Sequence, residues 1–371
     1  MSNEPWYVIK DIDKLDSPAL VVYPDRVKHN IAVLKDFVSD TNRLRPHVKT
    51  HKSIEVTQLL LEAGIHKFKC ATIAEAEMLA IAGAKDILLA YQPTEPKMHR
   101  LIPLIQQYPT IHFSCLVDNT ESARMISNLA DISEIQVSVF IDVNVGMNRT
   151  GILPDQEAFN LFENLAGFSG TRPLGFHAYD GHIRETDLEV RKQLCAEALQ
   201  PVLNICDQLE MKGYEKPVIV AGGSPTFPVH AVNERVECSP GTFVYWDKGY
   251  QSSFPEQPFL TATLVVTRVV SLPSPSHICV DLGHKSIAAE NELNRRVYFL
   301  NAPDLKPVGQ SEEHLVLEAG EGHFYQVGDV LYGLPYHVCP TCALYEKAYT
   351  IENGIQTDTW KTIARDRSIH Y

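Results

Sequence analysis

No stretch of this chain is apolar for long enough to span a bilayer, and its first residues, Met1-Ser2-Asn3-Glu4-Pro5-Trp6, lack the basic-then-apolar order of an export signal. A membrane-embedded or exported protein is therefore not expected, and a cytoplasmic location is. Positive charge is in short supply: 33 Lys and Arg stand against 46 Asp and Glu in 371 residues, a net charge of -13 with a sequence pI of about 5.6. That balance suits solubility and argues against nucleic acid or an anionic membrane as a partner. Cysteine is sparse and scattered, with eight in the whole chain, which fits reduced thiols better than a disulfide framework. Low-complexity stretches are missing, as is any internal repeat beyond the units described next.

What the chain does have is alternation. A short strand ending at Lys49 is followed by apolar runs at Lys67-Ala71, Asp86-Ala90, Ile111-Val117, Ile135-Ile141, Pro173-Ala178, Pro217-Ala221 and Arg235-Ser239. Segments of helical spacing lie between them, among them Ile54-Leu61, Ala74-Ile81, Ser122-Leu129 and Leu188-Leu209. Eight such units predict an α/β fold, a (β/α)8 TIM barrel, with its active site at the C-terminal ends of the strands and an anion site after strands seven and eight. Beyond about residue 255 the pattern changes to short strands and turns, as in Leu260-Val270, His277-Asp281, Val297-Phe299, Leu315-Leu317 and Tyr345-Thr350. The expected organisation is a barrel over residues 16–255 and a mostly β domain over 256–371, which recruits an N-terminal strand from residues 1–15, near Ile9 to Leu20.

Lys49, in Pro46-His47-Val48-Lys49-Thr50-His51-Lys52, puts an amine at the mouth of this barrel. An amine there can form a Schiff base with an aldehyde cofactor. Strand seven runs into Gly222-Gly223-Ser224-Pro225-Thr226 and strand eight into Pro240-Gly241-Thr242. Glycines let backbone N–H groups approach an anion, and the Ser224 and Thr242 hydroxyls can add donors. A phosphate is expected there.

These motifs, with Ala71-Thr72-Ile73-Ala74-Glu75-Ala76-Glu77, the Met147-to-Gly151 stretch and Pro335-Tyr336-His337-Val338-Cys339-Pro340-Thr341, resemble those of the fold type III pyridoxal-phosphate enzymes of the D-threonine aldolase and D-serine dehydratase group. The resemblance covers nearly the whole chain. It implies that Lys49 carries pyridoxal 5'-phosphate, that Arg149 contacts the cofactor's phenolic oxygen as in alanine racemase and its relatives, and that the turn holding Tyr179 faces the cofactor. It also implies a homodimer.

In an extended segment His337 and Cys339 would project to the same side, so imidazole and thiolate can converge on one ion. That pair favours zinc, or another divalent metal, and leaves positions open for water or substrate. Cys342 makes a Cys-x-x-Cys with Cys339; it reads as a packed thiol, with a redox partner or a third ligand as alternatives. The turn Tyr179-Asp180-Gly181-His182 departs from the Tyr-His-Gly of the aldolases, which leaves three readings: Asp180 as the base, His182 as the base, or a reaction that needs neither, with His182 structural.

The resulting expectation is a lyase acting on D-configured β-hydroxy α-amino acids. Dehydration of D-serine or D-threonine to a keto acid and ammonia is preferred, because the resemblance associates His-x-Cys with dehydratases. Aldol cleavage to glycine and an aldehyde is the alternative. Further alternatives are an amino-acid racemase and a non-catalytic pyridoxal-phosphate carrier.

Overall fold

The computed structural model describes residues 4–371; the part of the N-terminal expectation that falls on Met1–Asn3 lies outside the described residues. The chain divides into two compact units. One comprises residues up to Val33, Thr50–Ser53 and Thr242–Arg365; the other comprises Leu34–Lys49, Ile54–Gly241 and Asp366–Tyr371.

The first unit is built on a nine-stranded sheet. Its first strand, β1 (Ala19–Val22), starts later than the expected Ile9-to-Leu20 segment, most of which is a coil with one short 3-10 turn at Ile12–Lys14. The second unit holds a parallel sheet of seven strands in sequence order: β2 (Lys67–Cys70), β3 (Asp86–Leu89), β4 (His112–Val117), β5 (Val137–Asp142), β6 (Thr171–Ala178), β7 (Val218–Ala221) and β8 (Val236–Cys238). The chain then returns to the first unit with β9 (Thr263–Ser274), β10 (His277–Val280), β11 (Val297–Phe299), β12 (Lys306–Ser311), β13 (His314–Glu318), β14 (Val330–Pro335), β15 (Lys347–Glu352) and β16 (Ile355–Lys361). Within the nine-stranded sheet β1 lies antiparallel to β9 and parallel to β15. Residues 16–33, 50–53 and 242–255, expected in the barrel, fall in the unit that holds the mostly β sheet.

The expected first barrel strand is reduced to two isolated parallel bridges, Leu44↔Cys238 and His47↔Lys69. Pro46 explains this, since it has no N–H to give to a ladder. The segment still serves both edges of the seven-stranded sheet: Arg45 N donates to Cys238 O at 2.8 Å and Lys69 N donates to Pro46 O at 2.9 Å. An ion network replaces the missing ladder. The buried Arg45 guanidinium donates to Asp86 at 2.5 Å and to Glu237 at 2.8 Å, and Lys67 pairs with the other oxygen of Glu237. Closure on the eighth side therefore combines a few backbone bonds with side-chain ion pairs, where the other seven strands pair by continuous ladders.

Inside this sheet Leu88, Leu116, Phe140 and Val220 form an apolar plug. They alternate along their strands with residues that pack outward against the helices, as the two-residue strand period requires. Helix starts follow local chemistry: Thr72 Oγ1 caps helix Ile73–Ala82 by accepting from Glu75 N at 3.1 Å, and Glu75 reaches back to the N–H of Ala71, one residue before the cap, at 2.6 Å. Among the described residues no helix is long and apolar enough to cross a membrane.

Candidate active site

The C-terminal strand ends of the seven-stranded sheet open onto a cavity of about 630 Å³ lined by Lys49, Lys69, Gln92, Arg149, His177 and Tyr179 among others. Lys49 sits on the turn after the closing segment, exposed, with its backbone N–H donating to His47 Nδ1 at 3.2 Å. Arg149 reaches in from the loop after β5, its guanidinium 5.0 Å from the centre of the Tyr179 ring. That loop is shaped by Asn144, whose Oδ1 accepts from Gly146 N at 3.1 Å and Asn148 N at 3.0 Å. Lys49, Arg149 and Tyr179 are thus gathered on one cavity.

Of the glycines expected near an anion, Gly222 holds a conformation that favours glycine. Gly222 adopts φ +77, and a Cβ there would lie 2.9 Å from Phe227 Cα. A Cβ on Gly223 would lie 3.2 Å from the Tyr179 ring, so a side chain there would press on the ring. Ser224 and Thr242 are both buried.

The two candidate bases are placed elsewhere. Neither Asp180 nor His182 lines the cavity. Asp180 is buried, and its carboxylate accepts from Thr226 Oγ1 at 2.8 Å and His230 Nε2 at 2.7 Å. Burial opposes its charge, but these bonds hold the carboxyl below the usual carboxylate range. Asp180, Cys195 and His230 bring ligand atoms within 4.8 Å of one another, yet both Asp180 oxygens and the imidazole are already satisfied by protein donors and acceptors. His182 is exposed and packs on Gly146, where a Cβ would come within 2.6 Å of its Nε2.

Sequence reasoning missed the floor of the cavity. Lys69, on β2 and 3% exposed, donates from Nζ to Ser239 Oγ at 2.5 Å and lies 3.4 Å from His177 Nε2. His177 Nδ1 in turn donates to Asp142 Oδ1 at 2.7 Å, and Asp142 Oδ2 accepts from Thr150 at 2.7 Å and Gln92 at 2.8 Å. Burial disfavours the Asp142 charge, but these donors keep the carboxyl below its usual range. His177 is pushed down by burial and by the charge of Lys69. A charged Asp142 can only accept, so His177 carries its proton on Nδ1 and leaves Nε2 to accept from Lys69. Burial, and after it the charge of Lys49, lowers Lys69 to about 7 against the pull of Asp180 and Asp142. The available signal was a lysine in phase with the inward face of a strand that is otherwise buried.

In the mostly β unit His337 and Cys339 do come together, though not along a strand as expected. His337 is the extended residue before the helix Val338–Leu344, and Cys339 lies in its first turn, where Pro340 needs no intrahelical partner. Burial works to lower His337, but hydrogen bonding to Cys339 and to Glu290 raises it to about 9. Nδ1 faces Glu290, so the bond to Cys339 falls to Nε2, and a carboxylate behind an imidazole is the arrangement common behind metal ligands. Cys339 Sγ lies 3.1 Å from Thr50 Oγ1 and 3.7 Å from Thr242 Oγ1. Cys342 is buried, and burial raises its thiol well above the ordinary value, which leaves it a packed thiol.

Comparison with known proteins gives two family matches: residues 22–248 match the alanine racemase N-terminal domain, and residues 262–351 a putative serine dehydratase domain. The chain is similar to D-threonine aldolase of Arthrobacter sp., at 26% identity over 95% of this chain and 93% of that protein. It is similar also to D-threo-3-hydroxyaspartate dehydratase of Delftia sp. (strain HT23), at 23% identity over 94% of this chain and 97% of that one. Among solved structures, D-threonine aldolase from Filomicrobium marinum superposes with a TM-score of 0.88 over 98% of this chain and 99% of that one, at 24% identity. A D-threo-3-hydroxyaspartate dehydratase also superposes as a cysteine-to-alanine variant in metal-free form, with a TM-score of 0.80, and as a variant with the histidine two positions earlier replaced by alanine, with a TM-score of 0.79, each at 23% identity.

Proposed function

The chain belongs to the alanine racemase N-terminal domain family, and from that premise we propose that it is a pyridoxal-phosphate-dependent lyase of D-configured β-hydroxy α-amino acids. The observation that carries this reading is the meeting of Lys49, Arg149 and Tyr179 on one cavity at the strand ends. The cofactor fits these residues: Lys49 offers an amine to its aldehyde, Arg149 a cation to its phenolic oxygen, Tyr179 a ring face, and the Gly222-Gly223-Ser224 and Gly241-Thr242 turns unobstructed donors to its phosphate. When bound, it supplies an electron sink for bonds broken at the substrate's Cα. Lys49 holds the cofactor and is the amine placed to move the Cα proton. Asp180 keeps the phosphate turn in shape through Thr226 and His230, and His182 supports the loop before Arg149.

His337 and Cys339 would hold a divalent metal, zinc by the softness of the pair, with Glu290 behind His337. Such an ion supplies Lewis acidity to a β-hydroxyl, as a better leaving group or a stronger acid. The same His-x-Cys spacing in the altered D-threo-3-hydroxyaspartate dehydratase supports this assignment. It also favours dehydration, with a keto acid and ammonia as products. Aldol cleavage is the second reading, favoured by the likeness to the Arthrobacter D-threonine aldolase. A homodimer in the cytoplasm completes the proposal.

The deciding experiment incubates the purified, cofactor-loaded protein with D-serine, D-threonine and D-threo-3-hydroxyaspartate and identifies the products. Keto acid and ammonia support dehydration. Glycine and an aldehyde establish aldol cleavage, and epimerised substrate alone would make it a racemase.

A further inference from the structure

Lys69 is unlike the other cations of the seven-stranded sheet. Arg45 and Lys67 are paired with carboxylates, whereas Lys69 is held only by a hydroxyl and an imidazole, Ser239 Oγ at 2.5 Å and His177 Nε2 at 3.4 Å. The nearest acids are committed elsewhere: Asp142 to His177, Thr150 and Gln92, and Asp180 to Thr226 and His230. An ammonium has three donors, and these two contacts use two of them. Lys69 also lines the cavity and stands 5.5 Å from the centre of the Tyr179 ring. A buried cation without a counter-charge is costly to maintain. An anion entering the cavity would supply that charge.

We propose that Lys69 is a second cofactor-facing amine of this cavity, which takes up a proton as the anionic aldehyde cofactor binds and is held in place by the His177–Asp142 pair behind it. This inference rests on the proposed function for the identity of the ligand. The groups that face Lys69 are Lys49 on the turn after the closing segment, Asp142 on β5, Arg149 on the following loop, His177 on β6 and Asp180 on the turn after it. With the cavity free of ligand, burial first and the charge of Lys49 second lower Lys69 to about 7. The negative charge of the cofactor then shifts it to the ammonium form, whose third proton turns to the ligand.

The test is the proton balance of pyridoxal-phosphate binding. Calorimetric titration of the cofactor-stripped protein with pyridoxal phosphate, at pH 7.5 in two buffers of different ionisation enthalpy, counts protons taken up. The Lys69→Met and Lys69→Arg variants are titrated alongside. We expect both variants to take up about half a proton or more fewer than the unaltered protein while still forming the visible absorbance of the lysine–cofactor adduct. Lys69→Arg keeps the charge but cannot lose it, so it remains informative if Lys69→Met folds poorly. Equal proton counts in the unaltered protein and the Arg variant, with the cofactor bound in both, overturn the inference and leave the proposed function standing. Failure of the unaltered protein to bind pyridoxal phosphate at all overturns the cofactor reading and this inference with it.

Discussion

The Asp180 carboxylate accepts a hydrogen bond from His230 Nε2 at 2.7 Å across 50 residues of sequence. Its other oxygen takes the Thr226 hydroxyl, so one buried acid on the turn after β6 fastens both ends of the segment that follows Gly222-Gly223-Ser224. An acid used in this way is a clamp, and its removal should loosen cofactor binding before it touches chemistry.

Asp180→Asn is therefore expected to destabilise the protein by about 2–4 kcal/mol, the cost of breaking a buried charged hydrogen-bond pair, and to weaken pyridoxal-phosphate affinity. The carboxyl sits below its unfolded range. Its contribution is thus present above about pH 4 and lost as pH falls through the folded value. Denaturant unfolding from pH 7 down to 3 should show the gap between the two proteins closing at the acid end. A variant with normal stability and cofactor affinity but no turnover would instead make Asp180 the base.

Lys49→Ala should abolish covalent capture of the cofactor. After borohydride reduction and denaturation, mass spectrometry should find the added mass on unaltered protein at Lys49 and nowhere on the variant. Added mass on Lys69 in the variant would show that the second amine can substitute.

At Gly222 the backbone occupies the left-handed region and faces Phe227 Cα, so a side chain meets strain and backbone together. Gly222→Val is expected to lose about 1–3 kcal/mol of stability and at least tenfold in cofactor affinity, measured by fluorescence titration. Unchanged affinity would put the phosphate on another loop.

Chelation should remove turnover with D-β-hydroxy amino acids while the cofactor absorbance and the melting temperature stay within a small margin, and added zinc should restore activity. Two protein ligands, His337 and Cys339, are too few for a closed structural site. Cys339→Ala should behave as chelated protein does, without rescue by zinc. Unfolding on metal removal would mark the ion as structural.

Much of this molecule was legible because its signals are local. Strand and helix periodicities placed the seven strands from Lys67 to Cys238 within about two residues, since a buried strand and an amphipathic helix each declare themselves over a few neighbouring residues. The Lys49, Met147-to-Gly151 and Gly222-Gly223 motifs were readable for the same reason, and Lys49, Arg149 and Tyr179 do share a cavity. What tertiary structure alone decided involves partners far apart in sequence. Pro46 turned the expected first strand into two bridges closed by Arg45 on Asp86 and Glu237, which lie 41 and 192 residues away. Lys69 looked like one more strand residue until Ser239 and His177, 170 and 108 residues distant, made it the floor of the cavity. Asp180 stands where the resemblance to the aldolases suggests a base, and its burial beside Thr226 and His230 supports a clamp instead. Which face a side chain occupies follows from a two-residue or 3.6-residue period; which group waits on that face depends on how the sheet closes, and that is a property of the whole chain.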